Sequence, residues 1–123
     1  VEVRDVDFDH GAASRARSAC LEGAAELDQI AERVASGAAL QGGWWSGASA
    51  AAFAFRGDRS ADELRAEARR LRATADGIST NAADARAEQR RRVTERERLA
   101  RERDSREAEA ARQQALTRSG GAR

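Results

Sequence analysis

The chain has 123 residues, with 22 basic side chains (all of them Arg) against 21 acidic, a length for one domain at most. Leu, Ile, Val and Phe number 17, about 14% of the chain and below the usual floor for a filled globular core, while Ala alone supplies 30 residues. One Cys and one His exclude an intramolecular disulfide framework, a Cys-based zinc site and a His cluster, and so few large apolar residues argue against a deep substrate pocket and against an enzyme.

Residues 1–8 read as an extended, acidic lead-in. Val1 to Asp9 holds four acids and one Arg, the reverse of a signal-peptide start. Asp5-Val6-Asp7-Phe8-Asp9-His10 has the opening of a calcium loop, but the sixth position is His10 rather than Gly and the twelfth is Ala16 rather than Glu. An acidic approach to a helix N-terminus is the better reading, with Asp9 as N-cap. No metal, cofactor or catalytic residue is expected.

From Asp9 the pattern is helical. Cys20, Leu27 and Val34 recur every seven residues, Ala16, Gly23, Ile30 and Gly37 form the adjacent row, and Ala24, Ala31 and Ala38 flank the stripe. The pair Gly42-Gly43 is placed to end this helix. The charge-free run Val34 to Phe55 is long enough to raise a membrane span. Its Gly residues and scarce large apolar groups fit a turn instead, so no span is expected.

A second helix is predicted from about Ser46, which can cap it. Leu64, Leu71, Ile78 and Ala85 make one row of its seam, and Ala61, Ala68, Ala75 and Ala82 make the other. Phe53 lies eleven residues before Leu64, close to three turns, and belongs to the same face. A short bend near 41–47 makes the two helices antiparallel. The expected fold is therefore all-α: an antiparallel hairpin over 9–85, then a charged extension over 86–123, helical or disordered. That extension has twelve Arg and seven acids, with Glu-before-Arg pairs such as Glu88–Arg92, Glu97–Arg101 and Glu102–Arg106.

Such a hairpin buries one narrow stripe per helix, so self-association into a four-helix bundle is expected to complete it. Cys20 sits in the seam and reads as a small hydrophobe. In the Arg-rich extension the interleaved acids, and the absence of any aromatic residue after Phe55, weigh against nucleic acid.

Trp45-Ser46-Gly47 lies between the two amphipathic helices and is followed by Ala50, Ala51 and Phe53. This arrangement resembles the WXG family, the early-secreted-antigen-like helical hairpins exported by type VII (ESX) secretion systems. In that family a Trp-x-Gly occupies the bend between two helices. Read on its own, an indole at position 45 can close the open end of the hairpin, and Gly47 removes a side chain beside it. Trp44 is read as lying at the hairpin tip or against a partner chain. The resemblance implies a non-enzymatic substrate or adaptor (chaperone) that acts as a homodimer, or as a heterodimer with a related helical hairpin, through Cys20, Leu27, Ile30, Val34, Phe53, Leu64, Leu71 and Ile78. It further implies a secreted or cell-surface location, reached from the cytoplasm by a type VII route without a cleaved signal peptide. A secretion ATPase or a larger toxin would be a further partner. Two features depart from the family pattern. The chain has no Tyr for a Tyr-x-x-x-Asp/Glu export signal, which a partner would then supply, and its Arg-rich extension is longer than the family's tail. The alternatives from other classes are a cytoplasmic coiled-coil interaction scaffold and, with less support, an Arg-tail module that binds nucleic acid.

Overall fold

The computed structural model describes residues 2–41 and 46–121. These residues form two helices, α1 (His10–Gln41) and α2 (Ala48–Gly121), and no strand. The all-helical expectation holds. Gly42, Gly43, Trp44 and Trp45 lie outside the described residues, so the helix stop at Gly42-Gly43 and the closing indole do too.

Asp9 caps α1 as its chemistry predicts. Its carboxylate Oδ1 accepts from the Ala12 N–H at 2.8 Å, and its carbonyl accepts from the Ala13 N–H at 3.0 Å. At the start of α2 the structure differs from the sequence reading, which puts the cap at Ser46. The helix opens at Ala48, and the Gly47 carbonyl accepts from the Ala51 N–H at 3.0 Å. Gly47 has φ +100°, a conformation that L side chains rarely adopt, and among the described residues a Cβ there would meet nothing within 4 Å. Backbone conformation therefore makes this position a glycine.

The chain folds as two compact units, one of residues Asp9–Ala83 and one combining the residues up to Phe8 with Asp84 onward. The first is the antiparallel hairpin. Its cross-helix pairs run in opposite directions along the two helices, Asp28 with Arg72 and Glu32 with Arg65. The core of this unit is built of alanine. Ala24, Ala31, Ala61, Ala68 and Ala75 are fully buried, and Ala50 and Ala82 nearly so. A buried methyl contributes on the order of 0.8 kcal/mol, against about 1.5–3 kcal/mol for a fully buried Leu or Val. This interior is thin in energy as well as in width. Small side chains let helix axes approach to the short end of the usual range of about 8–10 Å. Gly23 belongs to the same design, because a Cβ at that position would stand 3.3 Å from Leu71 Cδ1.

In the second unit, residues 2–8 have no helical or strand assignment, and the helical part runs from Asp84 to Gly121. From Arg101 to Gly120 every residue of this helix is exposed. Local ion pairs support it: Glu88 with Arg91 and Arg92, Arg98 with Glu95 and Glu102, and Glu102 with Arg106. Their i,i+3 and i,i+4 spacings place each pair on one face of a helix, where water and salt screen it and its contribution is small. Val93 and Leu116 are 37% and 72% exposed, so this stretch keeps little of the apolar seam.

Candidate functional site

The hairpin unit has two unlike long faces, and the heptad positions explain why. On each helix the buried alanine row is flanked by one polar and one apolar row. The polar rows of α1 and α2 meet on the same side, where Asp28 pairs with Arg72 and Glu32 Oε2 lies 3.9 Å from Arg65 Nη2. These groups remain substantially exposed, so each pair contributes roughly 0.2–1 kcal/mol and mainly selects which sides face each other.

The opposite side is apolar and incompletely covered. Cys20, Leu27, Val34, Leu64, Leu71 and Ile78 are half-buried there, and Ile30 and Phe53 are 43% and 38% exposed. Of the two seam rows the sequence offers on α2, Ala61, Ala68, Ala75 and Ala82 take the interior and Leu64, Leu71 and Ile78 lie beside it. The alanine rows fill it, and the larger side chains line its open flank. The reason is steric, since two helices that approach on methyl groups leave no room between them for Leu or Ile. Toward the bend end this flank contains an open hollow of about 420 Å³, bordered by Val34, Gly37, Phe53 and Gly57 with Arg33, Arg56 and Ser60 at its edges. Cys20 has a free thiol and is half-buried among the same rows. Of the Trp-x-Gly motif, Ser46 and Gly47 are described and Trp45 is not.

The second unit holds a site that sequence reasoning missed. The strap of residues 2–8, neither helix nor strand, is held by three side chains of α2. Gln89 reaches it with both ends of its amide: Oε1 accepts from the Val6 N–H at 2.8 Å, and Nε2 donates to Asp5 Oδ1 at 2.8 Å. Arg92 Nη1 donates to the Arg4 and Asp5 carbonyls, both at 3.2 Å. Arg96 Nη2 pairs with Asp5 Oδ1 at 2.7 Å. The Glu88 carboxylate holds Arg92 from behind through Nε at 3.2 Å. Val3, Val6 and Phe8 are half-buried while Glu2, Asp5, Asp7 and Asp9 are exposed. Hydrogen bonds from Gln89 and Arg96, with the Arg96 charge beside them, hold the Asp5 carboxyl below its ordinary range. Arg91 and Arg92 do the same for Glu88, and Arg98 for Glu95, whose pairing in turn raises Arg98.

Two signals in the sequence could have revealed this strap. Asp5-Val6-Asp7-Phe8-Asp9 alternates acidic and apolar residues, the period of an extended segment with one covered edge. The acidic start and the Arg-rich end of the chain also carry opposite charge. In the structure Asp5 and Asp9 are engaged by α2 side chains and by the α1 N-terminus, and no group of three metal-ligating side chains occurs among the described residues. No helix among them is long and apolar enough to cross a membrane.

Comparison with protein-family models, with curated proteins and with solved structures finds no match to this chain.

Proposed function

We propose that the chain is a non-enzymatic, WXG-like substrate or adaptor of a type VII (ESX) secretion system, working as a homodimer or as a heterodimer with a related helical hairpin. The observation that carries this reading is the open apolar flank of the hairpin, on which Leu27, Ile30, Val34, Leu64, Leu71 and Ile78 remain partly in water. A second hairpin laid on that flank would cover both rows at once and complete a four-helix bundle. The Trp45-Ser46-Gly47 motif between the helices supports it further, as does the left-handed Gly47 that opens α2. The partner supplies the Tyr-based export signal that this chain lacks, and the pair leaves the cell together.

Light scattering across a range of concentrations tests the dimer. A mass that doubles with concentration, and returns to that of a single chain in Ile30→Glu or Ile78→Glu, is expected. A single-chain mass for the wild type at every concentration, both alone and with its genomic neighbours, would overturn it. Pull-down and mass spectrometry of cell and culture fractions test the export step. The exposed helix with its Glu–Arg pairs favours the second reading, an interaction scaffold that stays in the cytoplasm. Recovery only from the cell fraction, without a secretion ATPase or a second Trp-x-Gly chain, would select that reading.

A further inference from the structure

We infer that the α2 face carrying Gln89, Arg92 and Arg96 is a reader of extended acidic peptides, and that the chain's own strap is its competing occupant in cis. A partner protein would be recognised there by a single Asp in an extended segment, with apolar residues at the places held by Val3, Val6 and Phe8.

The pattern of bonds leads to this partner chemistry. Of the five hydrogen bonds from these three side chains to the strap, three go to groups that any peptide carries: the N–H of Val6 and the carbonyls of Arg4 and Asp5. Gln89 and Arg92 together engage three backbone groups of the strap, contacts that take little account of its side chains. The other two bonds converge on one carboxylate oxygen, Asp5 Oδ1, and set the register and the acidic requirement. Arg92 is presented by its contact with Glu88 on its own helix, so this part of the reader does not depend on the strap for its orientation.

Four of these five bonds are exposed to solvent, and the strap is joined to the rest of the chain only through Asp9 and α1 among the described residues. Such contacts exchange readily and are screened by salt. A strap on a short tether has an effective concentration in the mM range, which keeps the face occupied until a competing segment arrives at higher affinity or the strap is released. This inference does not depend on the dimer or secretion reading and stands or falls separately.

The test uses the full chain and a fluorescent peptide with the sequence of residues 2–10, followed by anisotropy. The variant Asp5→Arg releases the strap by placing a cation against Arg96, and Val6→Pro releases it by removing the N–H that Gln89 accepts. The peptide is expected to bind either release variant at least tenfold more tightly than wild type. Adding Arg92→Ala and Arg96→Ala to a release variant should remove that binding while helical circular dichroism is kept. A peptide with Asn at its Asp5 position should bind at least fivefold more weakly. Equal affinity for wild type and both release variants, or no binding to any of them with helicity intact, would overturn the proposal.

Discussion

Asp9–Ala83 and the residues from Asp84 onward share one helix, α2, and are held in opposite ways. In the hairpin, five fully buried alanines lie between two helices, and ion pairs sit at the margin. In the second unit the order is reversed. Short-range Glu–Arg pairs line a helix that is exposed from Arg101 to Gly120, and polar side chains of that helix hold the strap. Helical structure is thus maintained over the length of α2 by two different energies. Burial depends on shape and is insensitive to salt. Local pairing depends on charge and falls with ionic strength.

That contrast can be broken most forcefully at Ala68. Ala68→Asp places a carboxylate where no water reaches and should cost about 3–5 kcal/mol in urea unfolding, enough to separate the helices; a loss under 1 kcal/mol would mean the alanine seam is not the core. Gly47→Ala comes next. A side chain at φ +100° should cost about 1–2 kcal/mol in the same measurement, from backbone conformation alone. Asp9→Ala removes the α1 cap and should cost about 1 kcal/mol, read as faster amide exchange in the first turn of that helix.

The second unit should respond to smaller perturbations. Glu102→Ala removes one of Arg98's two partners and the partner of Arg106; amide exchange in that stretch should quicken slightly, and raising the salt concentration should reproduce the effect. For the strap the sign follows from Asp5, whose carboxyl is depressed when docked. Its contribution is fully present above the ordinary carboxylate range and is lost as pH falls through the depressed value. A spin label at position 3, in a Cys20→Ser background, should gain mobility as pH falls from 6 to 2 and not as it rises from 6 to 9.

The hairpin was legible in the sequence because its signals are periodic. The heptad rows and the Asp9 cap give the helices, and their short separation in sequence implies the antiparallel order that the cross-helix pairs display. Both rows of the α2 seam were visible, and the order of depth within it was not: two helices in contact select the smallest side chains for the line of closest approach, so Ala61, Ala68 and Ala75 lie deeper than Leu64, Leu71 and Ile78. α2 opens at Ala48, on the carbonyl of a left-handed Gly47 one residue beyond Ser46, and the sequence carries no signal for that φ beyond the glycine itself. The strap escaped because its partners are more than 80 residues away, and no local period announces a distant pairing. Opposite charge at the two ends was visible. Which Arg residues would close on Asp5 was not.

A ladder whose rungs are all methyl groups, repeated every seven residues, offers many equivalent alignments to two rods sliding along each other. Gly23 weighs for one of them, alongside the Asp28–Arg72 and Glu32–Arg65 pairs. Leu71 lies beside it, and a slip of one heptad would bring Ala16 or Ile30 to that place instead. One missing carbon on α1 thus counts against sliding.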